Sequence, residues 1–507
     1  MNVASQLERH AALCPERVAI RFEGSSITYI ELDRASSQLA DSLAQRGIVA
    51  GDRVVLYLPN LPAFAVAYYA VQKLGAVVVT MSSALKTAEV RFALEDSGAA
   101  AIFTTAELSA HVPERSTLKL RASVDEGPAP AGWTGLFHLL EFGSPDFRAA
   151  ERAGDDNAAL LYSSGTTGAP KGVVLTQNNL RSNVALAATC SDVRPNDRIA
   201  LCLPLFHVYG QNHVMNAAIV SGATIVLFRR FVSDAVLRAV KAERITHFFG
   251  VPAIFIGLLS IDLSAYDLSS LRYEMSAAAT MPEEISRRWT ARFGRPVFEA
   301  YGLTECSPLA CYNDLHEHRS GSVGRAVPGV EVRIFDEFDR EVPAGGKGEI
   351  VVRGAGVMKE YWGKPDDTRR ALRSGWLHTG DVGTMDEHGF VYIIDRVKDM
   401  IDVSGFKVWP AEVEQYLSKL DAIQEVAVYG IPHPQKGEQV VAAVVLREGS
   451  QLAADDILAY CRESIASYKI PARIEICESL PKSPTGKLLK RILRENATTP
   501  ESTDVRS

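Results

Sequence analysis

The stretch Ser163-Ser164-Gly165-Thr166-Thr167-Gly168-Ala169-Pro170-Lys171-Gly172 is dense in glycine and hydroxyls and carries one lysine. Glycines let backbone N–H groups turn inward around an anion, hydroxyls add donors, and a lysine adds a mobile positive charge. A polyphosphate uses all three. The order is not GxxxxGK[ST], in which the lysine leads into a helix. A few such residues would make an ordinary turn, but ten in this order, straight after the apolar strand candidate Ala159–Tyr162, predict a phosphate site.

Four further segments follow: Tyr301-Gly302-Leu303-Thr304-Glu305, Trp376-Leu377-His378-Thr379-Gly380-Asp381, Asp395-Arg396-Val397-Lys398-Asp399 and Pro484-Thr485-Gly486-Lys487. In this order, and over nearly the whole chain, they resemble the adenylate-forming superfamily of acyl-CoA synthetases, peptide-synthetase adenylation domains and luciferases. SSGTTGxPKG is that family's phosphate-binding signature. The resemblance implies an α/β fold with a large multi-subdomain N-terminal adenylation domain (1–397) and a small mobile α/β C-terminal domain (398–507). The hinge would lie near Lys398 and the active site between the domains. It also implies ATP, Mg2+ and coenzyme A: a carboxylic acid is activated as an acyl-adenylate and passed to the thiol.

Carboxylate attack on the α-phosphate brings anions together, so the step needs positive charge and oriented donors more than a general base. The resemblance supplies Lys487, beside the flexible Gly486, to close over the α-phosphate and the acid. It assigns Ser163, Ser164, Gly165, Thr166, Thr167, Gly168 and Lys171 to the polyphosphate and Thr304 to the α-phosphate region. Glu305, a hard oxygen ligand, would take Mg2+. Tyr301 would stack on adenine with its hydroxyl wet, with Ala278 and Ala279 on the same nucleotide side. Asp381 would accept both ribose hydroxyls, with Arg396 reinforcing it. Lys398 would be the hinge, and Ser404, Gly405 and Phe406, followed by Lys407, would enter the thioester-forming face after the small domain turns.

The implied acyl pocket comprises Phe206, His207, Val208, Phe249, Gly250, Ala277, Gly302 and Cys306. His207 would guide the carboxyl end. These segments are largely apolar, and small residues leave width. None carries an aspartate for an amino-acid ammonium or a cation for a second carboxylate. A medium-to-long fatty acid is the leading expectation, with an aryl- or cinnamate-type acid as the alternative. A separate carrier protein in place of coenzyme A remains open, although no carrier signature is present. A silent nucleotide-binding scaffold would not need Lys171, Glu305, Asp381, Arg396 and Lys487 together.

Positioning such groups takes an alternating framework. Strand candidates at 18–22, 53–57, 76–80, 159–162, 198–203, 224–227 and 246–249, with helical stretches between them, predict a largely parallel sheet. Thr28 and Glu31 form a capping-box pattern, and Glu23–Gly24 suit a hairpin turn. Residues 107–157 read as a surface excursion. Val330–Asp336 and Gly348–Arg353 predict antiparallel strands. Beyond Arg396, strands at 425–429, 439–446 and 470–476 and a helix at 454–466 predict a small α/β domain.

At 507 residues, with 47% hydrophobic and 23% charged residues, the chain suits two or more globular domains. A net charge of −7 without a long basic run argues against nucleic acid. Seven scattered cysteines with no CxxC pair predict reduced thiols in a cytoplasmic protein. No apolar run is long enough to span a bilayer; the mildest, 63–82, is broken by Gln72 and Lys73. The chain departs from the common family pattern at Thr80-Met81-Ser82-Ser83, Ala300, Asp402 and Trp409.

Overall fold

Parallel pairing needs a crossover between successive strands, and β-branched runs separated by helices provide it. In the computed structural model, which describes residues 2–114, 117–163, 170–483 and 488–498, Arg53–Tyr57, Val77–Thr80 and Ala101–Thr104 pair in parallel within an eight-stranded sheet. Arg198–Leu201, Thr224–Leu227, His247–Gly250 and Tyr273–Ser276 do the same in a nine-stranded sheet. Helix Pro62–Leu74 and helix Tyr29–Gln45 contribute heavily to the core that joins the two sheets. A four-stranded antiparallel sheet, Val330–Phe335, Gly348–Gly354, Leu377–Met385 and Val391–Arg396, closes the large domain. The smaller C-terminal unit is a five-stranded sheet with its own two apolar clusters.

Local chemistry behaves as expected in several places. Thr28 and Glu31 complete a reciprocal capping box at the start of helix Tyr29–Gln45. Glu23 and Gly24 both take positive φ (47° and 84°) and turn strand Val18–Phe22 into Ser25–Thr28, as a two-residue hairpin requires. All seven cysteines are free thiols. No helix among the described residues is long and apolar enough to cross a membrane.

Residues 107–157 correct an expectation. Leu120–Ser123 and Thr134–Gly135 extend the eight-stranded sheet in parallel, and helix Leu136–Phe142 packs on helix Tyr29–Gln45. The strands are too short, and too broken by Arg121 and the proline-rich turn after Glu126, to show a period of two.

Gln72 and Lys73 are both fully buried. Lys73 Nζ lies 2.9 Å from Glu8 Oε1 and 2.8 Å from Asp33 Oδ1, and donates to Ser37 Oγ at 3.0 Å. Glu8 Oε1 also accepts from the Ala149 backbone N–H at 2.9 Å. Three helices and the following loop thus meet on one ammonium.

Candidate active site

The segment expected to bind phosphate begins and ends on an antiparallel pair of strands. Strand Asn157–Ser163 pairs with Lys171–Thr176, with Ser163 opposite Lys171, so both ends of the intervening segment are pinned. Ser164, Gly165, Thr166, Thr167 and Gly168 lie outside the described residues, as does Lys487. Lys171 Nζ sits 3.1 Å from Asp367 Oδ2 and 5.2 Å from the centre of the Tyr361 ring.

Tyr361 carries the connection onward. Its short strand Glu360–Tyr361 pairs with Lys171–Thr176, and its hydroxyl donates to Glu305 Oε1 at 2.9 Å. Glu305 and Thr304 lie in the 3-10 turn Thr304–Cys306, which follows strand Phe298–Gly302. Burial raises the Glu305 carboxyl above its ordinary range, against the Tyr361 hydrogen bond and the Arg396 charge, which favour ionisation. A half-buried carboxylate of this kind suits a hard cation brought in by a polyphosphate. No cluster of three or more His, Cys, Asp or Glu ligands occurs among the described residues.

Asp381 and Arg396 face each other across an antiparallel pair. Arg396 Nε lies 3.0 Å from Asp381 Oδ1, and the Tyr301 hydroxyl donates to Asp381 Oδ2 at 2.7 Å. Burial opposes the Arg396 charge, but Asp381, Tyr301, Asp399 and Glu305 together outweigh it and the guanidinium pKa is raised. Burial, then Asp381, lifts the Tyr301 phenol far above its usual range. The Tyr301 hydroxyl is therefore bonded to a carboxylate rather than wet, and the ring is packed in the core around the turn. Lys171, Tyr361, Glu305, Arg396, Asp381 and Tyr301 form one continuous cluster drawn from all three large-domain sheets. Sequence reasoning missed Tyr361 and Asp367, which lie in no recognisable motif and are recruited only by sheet pairing.

The pocket segments meet around the ends of the parallel strands. Phe206 and His207 are half-buried, and the His207 ring Nδ1 accepts from the Tyr209 N–H at 3.2 Å. The departure at Thr80 has a purpose: its hydroxyl donates to the Phe206 carbonyl at 2.7 Å and ties this loop to the other sheet. Val208, Phe249, Gly250, Ala277 and Cys306 are buried. Gly302 allows a close crossing, since a Cβ there would sit 2.0 Å from the Pro308 carbonyl oxygen. Ala278 and Ala279 are exposed just beyond strand Tyr273–Ser276, and Ala278 holds φ 72°, a left-handed conformation that costs a residue with a Cβ and gathers at functional loops.

After Phe206 the chain forms a π-helix, Tyr209–Asn216, a form concentrated at functional sites. Asn212 Nδ2 donates to the Ser307 carbonyl at 2.5 Å, and Asn183 Nδ2 donates to the Cys306 and Leu309 carbonyls at 3.0 Å each. These amides anchor the Thr304–Cys306 turn from beneath.

Lys398 lies exposed in the turn Val397–Asp399, where partial desolvation and then neighbouring Arg396 and Arg494 lower its pKa against the pull of Asp399. Ser404 and Gly405, at φ 55° and 85°, turn strand Ile401–Val403 into Phe406–Val408, and the Gly405 N–H donates to Asp402 Oδ1 at 2.7 Å. Asp402 thus serves the turn. Phe406 is exposed and stacks on Tyr468 at 4.8 Å. Among the described contacts, none joins Ser404–Phe406 to the Asp381 cluster. A cavity of about 740 Å³ lined by Val3, Thr176, Arg181, Asn216 and Val357 lies elsewhere and shares no residue with the cluster.

Glu299, two residues before Tyr301, is a buried carboxyl pushed up to about 8 by desolvation, which outweighs backbone hydrogen bonds at Met281 and Gly321. The folded chain holds its proton where the unfolded chain, with an ordinary value of 4.5, has released it. Its contribution to stability is therefore complete at low pH and is lost as pH rises through that window. Thermal unfolding is expected to show Glu299→Gln gaining on the parent as pH increases from 5 to 8. A constant difference in Tm across that range would refute this.

Residues 7–362 match the AMP-binding enzyme family model, and residues 412–487 match the AMP-binding enzyme C-terminal domain. The chain is 36% identical to a feruloyl-CoA synthase of Amycolatopsis sp, covering 96% of this chain and 97% of that protein. It is 35% identical to a long-chain-fatty-acid–CoA ligase of Bacillus subtilis, with 98% and 95% covered. The crystal structure of ATP-bound MatB from Rhodopseudomonas palustris superposes with a TM-score of 0.90 at 30% identity, over 98% and 99% of the two chains. With the cluster above, these findings show that the chain belongs to the AMP-binding enzyme family as an adenylate-forming acyl-CoA synthetase, an AMP-forming acid–thiol ligase using ATP and coenzyme A.

Proposed function

We propose that the enzyme activates an aromatic carboxylic acid, and that the wall built around Phe249 carries this choice. Tyr209, His213, Phe249, Tyr273 and Phe298 are all buried. Ring centres lie 5.4 Å apart for Tyr209–His213, 5.5 Å for His213–Phe249, 5.9 Å for Phe249–Tyr273 and 5.1 Å for Tyr273–Phe298. An acid seated against such a cluster would meet ring edges and faces, which suit a flat ring. The feruloyl-CoA synthase relative supports this reading. A fatty acid is the second reading, favoured by the long-chain ligase relative and the apolar segments at Phe206 and Val208.

In the proposed mechanism the segment 163–172, with its Lys171, holds the polyphosphate, Glu305 would hold the Mg2+ that offsets phosphate charge, and Asp381, aligned by Tyr301 and Arg396, reads the ribose. His207 guides the acid's carboxylate. Its oxygen bonds to the α-phosphorus as the bond to the β-phosphate oxygen breaks and pyrophosphate leaves, with Lys487 balancing the charge. The small domain, residues 398–507, then turns about Lys398 and brings Ser404–Phe406 to the site. The change of sheet between Val391–Arg396 and Ile401–Val403 supports a pivot there. The coenzyme A thiol, losing its proton, attacks the acyl carbon, and AMP departs.

Pyrophosphate and acyl-CoA formation across benzoate, cinnamates and short to long fatty acids tests the proposal, with Lys487→Ala as control. An aromatic maximum lost in the control supports it. A maximum at a long fatty acid replaces it with the second reading, and pyrophosphate without acyl-CoA points to a carrier protein as acceptor.

A further inference from the structure

We propose that Asp367 is a competing counter-ion for Lys171: it holds the lysine ammonium, and the outer phosphates of ATP must take that ammonium from it. This rests on the reading of Lys171 as a polyphosphate ligand and adds what sets the strength of that contact.

The contact differs from an ordinary surface ion pair in its enclosure and its anchoring. Lys171 Nζ lies 3.1 Å from Asp367 Oδ2, and both side chains are only 19% exposed. On the same short helix, Pro365–Ala371, the neighbouring pair of Arg369 and Asp366 is largely exposed. Asp367 is thus the carboxylate of that pair of aspartates that turns inward. The helix is tied to the strand that carries Lys171. Thr368 Oγ1 accepts from the Tyr361 N–H at 2.9 Å and donates to the Lys364 carbonyl at 2.9 Å. Glu360 and Tyr361 pair with Val174 and Val173, and the Trp362 N–H donates to the Gly172 carbonyl at 2.7 Å. The Tyr361 ring covers another side of the ammonium, its centre 5.2 Å from Nζ. Segment 360–367 therefore brings Lys171 a carboxylate and a ring face together.

The charges decide what this pairing does. The hydrogen bond from Lys171, against some desolvation, holds the Asp367 carboxyl below its ordinary range, so it is an anion at neutral pH. Arg370 also contacts Asp367, but its own side chain is largely exposed, where a charge is well screened. A phosphate oxygen is an anion too, and two anions gathered on one ammonium disfavour each other. ATP binding must weaken the contact between Lys171 and Asp367, and the contact is regained when pyrophosphate leaves. Asp367 thus loosens substrate and product alike, which raises KM and frees pyrophosphate without altering the chemical step. AMP lacks both of the phosphates that Lys171 would hold, so its binding is indifferent to Asp367.

Equilibrium titration of the full-length enzyme with ATP and Mg2+, with pyrophosphate and Mg2+, and with AMP tests this in the parent, Asp367→Asn, Lys171→Met and the double variant. Asp367→Asn is expected to bind ATP and pyrophosphate about 3- to 10-fold more tightly, between the worth of an exposed ion pair and an enclosed one, and to bind AMP as the parent does. Asp367→Ser, which removes the same charge with a smaller side chain, should move both in the same direction. In the Lys171→Met background the gain from Asp367→Asn should largely disappear, since no ammonium is left to contest. Weaker or unchanged binding of ATP and pyrophosphate in both charge-removing variants would overturn the inference and make Asp367 a support that presents Lys171 to phosphate. An undiminished gain without Lys171 would also overturn it, because Asp367 would then act on phosphate directly. Parental binding of ATP and pyrophosphate by Lys171→Met would instead overturn the reading of Lys171 beneath it.

Discussion

Asp381→Ala is expected to lower kcat/KM for ATP by about two to three orders of magnitude, from a loss of roughly 3–4 kcal/mol at about 1.4 kcal/mol per tenfold. Among the described residues, Asp381 joins Tyr301 to Arg396, with one carboxylate oxygen for each. Removing it strands a guanidinium whose side chain is only 30% exposed and a buried phenol at the place where the ribose would bind. A purely structural role predicts a lower Tm with an unaltered KM for ATP. A ribose contact predicts something more specific. The parent should discriminate against 2′-deoxy-ATP, and Asp381→Ala should not. Asp381→Asn should fall between, since its amide oxygen can accept from Tyr301 while the charge facing Arg396 is gone. Pyrophosphate release with each nucleotide decides the matter, and undiminished discrimination in the alanine variant sinks the assignment.

Lys73→Met is expected to be the most damaging single change outside the site, destabilising the large domain by about 3–5 kcal/mol. The ammonium has no solvent exposure and sits between Glu8 and Asp33, whose side chains are 20% and 10% exposed. Methionine fills similar space but leaves two half-enclosed carboxylates facing each other. The expected result is a large drop in Tm, recovered in part by replacing Glu8 and Asp33 with glutamine and asparagine in the same chain. Breaking one member of such a set is far worse than removing all of it. A Tm unchanged in Lys73→Met would show that the carboxylates find other partners.

Lys73 also marks where the sequence stopped being legible. A lysine in an apolar helix reads as a break, because burial of one ammonium depends on two carboxylates 65 and 40 residues away. The same limit applies to Tyr361 and Asp367, whose places beside Glu305 and Lys171 arise from sheet pairing. Local signals fared better: the Thr28–Glu31 capping box, the Glu23–Gly24 turn and the β-branched strands at 53–57 and 224–227 each carry their cause within a few residues. Asp381, Arg396 and Tyr301 were named together through motif order, but the hydrogen bond that removes the Tyr301 hydroxyl from water was not, since it joins residues 80 positions apart. The π-helix left no trace in periodicity, because its longer turn blurs the 3.6-residue pattern.

That extra residue per turn has a genetic consequence. Within Tyr209–Asn216 the wide turn stacks Tyr209 over His213 on the side of Phe249 and Asn212 over Asn216 on the side of Tyr68 and Tyr69. Deleting one codon inside the segment would return it to an ordinary α-helix, so that pairs four apart across the cut become three apart while the flanking turns keep their faces. A point substitution exchanges one side chain for another on this surface, whereas a single-codon deletion re-spaces both rows together.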